Sequence, residues 1–443
     1  MPLRELSRTE YAVNLAGLAA AFAAYRRREG WSPGQMRDWQ LRRIRRLVEH
    51  AYARVPLYRD KYRAVGFEPG DLGGWDDFRR LPTVTKAELV GGFPDSSMAR
   101  GVDVAACLIS TSSGSTGRMM DIPHRADRLW PYVLATHRIF RWIAGRYPPG
   151  WRHAYIYTSR YPVRPIPGFY PLSFIPTAAE PERILAALRA SRPQLLAVYP
   201  SILRGLLAID TQGLRDLGLR AVSVNSELST QAERDAWSAA LGCPVGDDYS
   251  SEELTRIAAQ CQAARYHLVE DIAYLEILEE TSDRAADGIG EVVGTELHNT
   301  AMPFIRYRQG DLARLDPNQC TCGRPQRILS GLVGRANDGF TLADGRRLPA
   351  GFLIDACYRA LMNHPGVAAA YRLRQTSGDA AVLDVQPGPR WVASAGSSLV
   401  TALQAEIGSR MSVTLRTTTD LPRDSSGKRR TIVGLPSQMG RMV

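Results

Sequence analysis

The chain has 443 residues, 44% of them apolar, which is too long for one ordinary core and too apolar for a disordered chain. Lys plus Arg exceed Asp plus Glu by 56 − 45 = 11, yet the excess is scattered in short runs such as Arg26 to Arg28, which argues against a nucleic-acid footprint. No run reaches the ~18 apolar residues of a membrane span, and six scattered cysteines make no disulfide framework, so a cytoplasmic location with no membrane partner is expected.

The apolar stretch from Asn14 to Tyr25 is preceded by Glu5 and Glu10 and followed by Arg26 to Arg28. Those flanks do not suit a signal peptide, and an amphipathic or buried helix is expected there. Ser32 and Pro33 open a basic amphipathic helix that places Trp39, Leu41, Ile44, Leu47 and Val48 near helical spacing. Thr85 and Glu88 form a capping box ahead of a further helix.

From about residue 100, short apolar runs alternate with helical segments. ACLIS, HAYIYTS, QLLAVYPS and LRAVSVNSE read as strands, and such alternation predicts α/β architecture with sites at strand ends. Between about residues 270 and 315 the texture turns β-rich, and a small β subdomain is expected over about 260–334. Beyond a boundary at 335–338, residues 339–443 read as a separate α+β domain.

Four segments carry candidate chemistry. TSSGSTGR, Thr111 to Arg118, has five hydroxyl side chains and two glycines after a predicted strand. Backbone N–H groups in such a loop can converge on a polyphosphate, although a plain linker has the same composition. DDYSSEE, Asp247 to Glu253, offers an aromatic face and a carboxylate three residues on, and MPFIRYRQGDL places Asp311 after a glycine turn. DLPRDSSGKRR presents Lys428 beside a glycine. Only Lys61, Lys86 and Lys428 are lysines among the 56 basic residues, so these positions need what arginine does not supply: a compact point charge.

In this order, with GRAND at Gly334 to Asp338, the motifs resemble the adenylate-forming superfamily of acyl-CoA synthetases and adenylation domains, and most closely the phenylacetate-CoA ligase family. LVEHAYARVPLYRDKYR and LPTVTKAEL are similar to that family's opening, so the resemblance runs from about residue 40 onward. It implies a large N-terminal domain of two α/β subdomains plus a small β subdomain (1–334), a hinge (335–338) and a small mobile C-terminal domain (339–443). It implies an ATP-dependent, AMP-forming ligase acting on an aryl or arylacetic acid.

Residue by residue, the resemblance assigns Ser112, Ser113, Gly114, Ser115, Thr116 and Gly117 to the ATP phosphates, with Arg118 where lysine is usual. Tyr249 would stack on adenine beside Ser251, Glu252 would hold Mg²⁺, and Asp311 would accept the ribose hydroxyls. Arg335 would begin the hinge, and Lys428 would reach the reacting carboxylate and α-phosphate. Coenzyme A is the default acceptor, with an amine or a carrier-protein thiol as alternatives; oligomeric state is left open, a homodimer being one option. Trp130, Tyr132, Phe140, Tyr170 and Tyr199 are candidate linings of the acid pocket.

Cys320 and Cys322 form a C-x-C pair, with Cys261 and His267 about 55 residues upstream. Cys3His would close a structural Zn²⁺ site if the β subdomain brings the pairs together; free thiols are the alternative. Cys107, Cys243 and Cys357 read as buried small residues.

Overall fold

The computed structural model describes residues 5–112, 119–158, 170–335, 339–362, 364, 366–408, 411–422 and 429–435. The chain forms two compact units, one built from the described residues of Met1–Tyr147 and Asp247–Gly331, the other from those of Pro148–Thr158, Pro165–Gly246 and Leu332–Val443.

The first unit opens with helix Arg8–Arg28, capped by Ser7 and Glu10. Its apolar stretch was expected to be buried or amphipathic, yet only Asn14 and Tyr25 are buried, and Val13, Leu15 and Phe22 are exposed. An alanine-rich helix that is apolar all round gains little contact per residue, so polar ties fix it instead. Asn14 donates to the Ala126 carbonyl and accepts from the Leu129 and Trp130 amides. Helix Pro33–Arg54 starts at the expected Ser32 cap and buries Ile44, Leu47 and Val48, along with Met36, Gln40 and Ala51.

The rest of this unit is largely antiparallel. Strands Ala273–Leu278, Gly290–Glu296, Tyr307–Asp316, Ile328–Arg335, Tyr266–Leu268, Thr255–Gln260 and Val245–Ser251 lie side by side in that order. The β-rich region expected over 260–334 is this array, extended at one end by the strand that carries DDYSS.

In the second unit, Ala221–Asn225, Leu195–Val198, His153–Tyr157 and Leu172–Pro176 lie in that order, all parallel. Their near-continuous apolar character follows from burial on both faces; every residue of Leu195–Val198 and Ala221–Asn225 is buried. Helices Pro181–Ser191, Pro200–Arg215 and Gln231–Leu241 complete the α/β pattern. The same unit holds a four-stranded sheet ordered Ser412–Thr417, Ala380–Pro387, Ala368–Ser377, Ile432–Val433, with helices Ala350–Met362 and Ala393–Ile407. The boundary expected at 335–338 falls partly outside the described residues, and the described residues of Leu332–Val443 belong to the same compact unit as those of Pro165–Gly246.

Candidate functional site

ACLIS does form a strand, Cys107–Ser112, but its partner is the antiparallel strand Met120–Arg125. The Gly/Ser loop follows a strand as expected, and the two strands that flank it are an antiparallel pair. Ser113 to Arg118 lie outside the described residues, as do Asn337 and Lys428.

Ser112, at the loop's first edge, is buried, and its Oγ accepts from Lys86 Nζ at 2.8 Å and from the Met120 amide at 3.2 Å. Lys86 opens the short helix Lys86–Gly91, whose Thr85–Glu88 capping box is formed as expected. Lys61 pairs with Glu88 of that helix. The sequence singled out Lys86 by its rarity in an arginine-rich chain and placed it on a capped helix, without linking it to the Gly/Ser loop.

The two middle motifs meet through a ladder of three side-chain hydrogen bonds. Tyr249 Oη donates to Asp311 Oδ2 at 2.7 Å, Ser251 Oγ to Gln309 Oε1 at 3.2 Å, and Tyr307 Oη to Glu253 Oε1 at 3.2 Å. Tyr249 and Ser251 lie at the irregular end of strand Val245–Ser251, whose register shifts between Tyr249 and Ser250, and Glu253 lies in the turn that follows, so bends in both segments set the pairing. Residues 249, 251 and 253 thereby face 311, 309 and 307. Gly310 permits it by adopting φ +81°, a left-handed conformation that glycine enters at no steric cost, in a strand whose register with its neighbour shifts. Its amide donates to Glu291 Oε1 at 3.1 Å.

Glu252 faces outward from the turn that follows this strand. Glu253 is buried and bonded, whereas Glu252 is exposed, the placement a hard-cation ligand requires. Just upstream, burial raises the Asp248 carboxyl to about 6 even though Arg256 pairs with it, and Asp247 accepts from Tyr266 Oη at 2.6 Å. Arg335 ends the strand Ile328–Arg335 and falls in the second unit.

Cys261, His267, Cys320 and Cys322 converge: their ligand atoms all lie within 4.8 Å of one another. Cys261 and Cys320 sulfurs are 3.7 Å apart, and Cys322 Sγ lies 3.2 Å from His267 Nε2. His267 Nδ1 faces the Gln326 carbonyl at 3.3 Å, which assigns the ring proton to Nδ1 and leaves the Nε2 lone pair toward the sulfurs. Burial lowers the His267 pKa to about 4, so the ring is neutral, as a ligand must be. Three sulfurs and one imidazole are the donor set of a closed structural zinc site.

Among the candidate pocket aromatics, Phe140 and Tyr199 are buried core residues, and Tyr132 Oη reaches Glu296 Oε1 at 3.4 Å. A cavity of about 650 Å³ in the first unit, with Arg37, Arg79, Tyr274 and Arg327 in its wall, includes none of the predicted site residues. None of the described helices is long and apolar enough to cross a membrane.

No model of a protein family matches the chain. Among curated proteins it is 28% identical to a phenylacetate-coenzyme A ligase of Pseudomonas putida over 316 residues, covering 68% of this chain and 71% of that one. A phenylacetate-coenzyme A ligase of Thermus thermophilus is 24% identical over 437 residues, 90% of this chain and 97% of its own. The Escherichia coli phenylacetate-coenzyme A ligase is 29% identical over 327 residues, 69% and 72%.

Among solved structures, 2-hydroxyisobutyryl-CoA ligase bound to 2-HIB-AMP aligns with TM-score 0.76 at 22% identity, covering 94% of this chain and 92% of that one. An anthranilate CoA ligase bound to anthranoyl-AMP aligns with TM-score 0.55 at 14% identity, covering 73% and 65%. The fold is that of the adenylate-forming CoA ligases, and the resemblance seen in the motifs is borne out.

Proposed function

We propose that this chain activates a carboxylic acid with ATP as an acyl-AMP, releasing pyrophosphate, and passes the acyl group to the thiol of coenzyme A. The observation that carries this reading is the ladder joining Tyr249, Ser251 and Glu253 to Asp311, Gln309 and Tyr307. It fixes an aromatic face and a carboxylate side by side, the pairing an adenosine needs for stacking and for ribose hydroxyls. The similarity to phenylacetate-coenzyme A ligases supports it, and an aryl or arylacetic acid is the substrate class that similarity favours.

A carboxylate is a poor acyl donor because its oxygen is a poor leaving group. In the first half-reaction a carboxylate oxygen attacks the α-phosphorus and the bond to pyrophosphate breaks. In the second, the coenzyme A sulfur attacks the acyl carbon and AMP leaves with the electron pair. Bringing two anions together requires positioned positive charge. Lys86, beside Ser112 at the loop's edge, and Arg118 within the loop supply it for the phosphates, and Lys428 supplies it between the reacting oxygens. Glu252 would hold Mg²⁺, which offsets phosphate charge when bound. Residues 339–443 act as the mobile domain carrying Lys428, with 335–338 as hinge. Zn²⁺ would sit on Cys261, His267, Cys320 and Cys322, where it ties distant segments of the β-rich array together.

The test is carboxylate-dependent exchange of labelled pyrophosphate into ATP, across aryl, arylacetic and aliphatic acids, followed by thioester detection with coenzyme A. Exchange with one acid class and thioester formation is the expected result. No exchange with any acid, with ATP binding intact, sinks the reading.

A further inference from the structure

Glu227 sits just past the C-terminal end of strand Ala221–Asn225, after Ser226, which adopts φ +66°. A non-glycine residue held in the left-handed region is a local cost that surrounding structure must offset. Here it turns the chain so that the Glu227 carboxylate gathers three donors. Ser201 Oγ donates to Oε1 at 2.9 Å and the Ser201 amide to Oε2 at 2.8 Å, and the Arg429 amide donates to Oε1 at 2.9 Å.

The first two contacts anchor the N-terminal turn of helix Pro200–Arg215. The third has no such explanation. Arg429 is 202 residues away, and its amide belongs to the peptide bond that follows Lys428. Leu228, the next residue after Glu227, packs on the apolar core formed by the C-terminal sheet and its helices, and Tyr358 Oη donates to the Ala232 carbonyl at 3.1 Å. The 227–232 segment is therefore a seat for the C-terminal part of the chain, with one carboxylate aimed at the main chain beside the lysine.

We propose that Glu227 is a positioning residue for adenylation: by holding the Arg429 amide, it sets where Lys428 is presented. The inference rests on the function proposed above. A bond to main chain suits this task, because it fixes the backbone without competing for the cationic side chain. A carboxylate acceptor strengthens it relative to a neutral one. The contact is needed while Lys428 acts and dispensable afterwards, so its loss falls on one half-reaction.

The experiment compares Glu227→Ala, Glu227→Gln and Ser201→Ala by pyrophosphate exchange and, separately, by transfer from supplied acyl-AMP to coenzyme A. Glu227→Ala is expected to slow exchange about 10- to 100-fold, as for loss of a charged hydrogen bond, while transfer stays within about twofold. Glu227→Gln, which keeps an acceptor oxygen, should recover most of the exchange. Ser201→Ala, which removes one helix-anchoring bond and leaves the Arg429 contact, should leave both half-reactions near wild type.

Tryptic cleavage after Arg429 and Arg430 should be faster in Glu227→Ala than in wild type, a readout independent of activity. Equal losses in both half-reactions, or a Ser201→Ala variant as impaired as Glu227→Ala, would reduce Glu227 to a helix anchor and overturn the proposal. Wild-type protein without exchange, but with cleavage that depends on Glu227, would overturn the adenylation reading and keep the contact.

Discussion

Tyr249 donates its hydroxyl to Asp311 across 62 residues of sequence at 2.7 Å, as one rung of a ladder in which alternate residues of two motifs face each other. A carboxylate has more acceptor sites than one phenol uses, so Asp311 can be oriented by Tyr249 and still receive ribose hydroxyls. Asp311→Ala is expected to lower kcat/KM for ATP by about 100-fold, the scale of a lost charged hydrogen-bond pair. Tyr249→Phe keeps the ring and loses only the orientation, so a loss of about 3- to 10-fold is expected. ATP titrations of the exchange reaction check both, and equal losses would refute this division of roles.

Lys86 and Lys428 are both expected to act in adenylation, the first on the phosphates and the second between the reacting oxygens. Lys86→Ala is expected to slow exchange about 10²-fold by removing a positioned cation at the loop edge. Lys428→Ala should nearly abolish exchange yet leave transfer from supplied acyl-AMP to coenzyme A largely intact. If Lys428→Ala impairs transfer as severely as exchange, the lysine is not confined to the first step.

What the sequence disclosed follows from the range of the signal. The Ser32 and Thr85 caps and the parallel strands around Leu195 and Ala221 were legible because propensity and apolar runs are local. The C-x-C pair and its two upstream partners were legible as a ligand set, and their convergence depended on the antiparallel array. The antiparallel pair flanking the Gly/Ser loop was missed, since a short apolar strand reads the same in parallel and antiparallel settings. The exposure of the first helix was missed because an alanine-rich run is equally apolar on every face. YSSEE and YRQGD were legible as motifs, but which of their residues meet depends on the turn at Glu252 and the left-handed Gly310, and backbone sign is not written in residue type alone.

The Cys3His cluster should bind one Zn²⁺ per chain in tag-free protein, measured by elemental analysis. Cys320→Ser is expected to lose the metal and lower the melting temperature, because the site joins segments about 55 residues apart in sequence. Activity per folded molecule should survive at temperatures well below the new transition. A metal content well below one per chain in protein purified without chelator would favour free thiols.

Glu296 gives the fold a pH dependence that can be read in advance. Burial raises its carboxyl to about 7, and bonds from the Asn299 and His298 amides offset this only in part. A raised carboxyl holds its proton more tightly folded than unfolded, so the folded state binds more protons between the ordinary value of 4.5 and about 7. Stability therefore falls as pH rises through that window, by on the order of 1–3 kcal/mol from this group. Glu296→Gln keeps an oxygen for the two amides and has no proton to lose. Denaturant midpoints for the variant should vary less than wild type between pH 5 and 8 (about three pH units, spanning the titration), and the variant should be the more stable protein at the upper end. If the two curves run parallel, Glu296 is not the group that titrates.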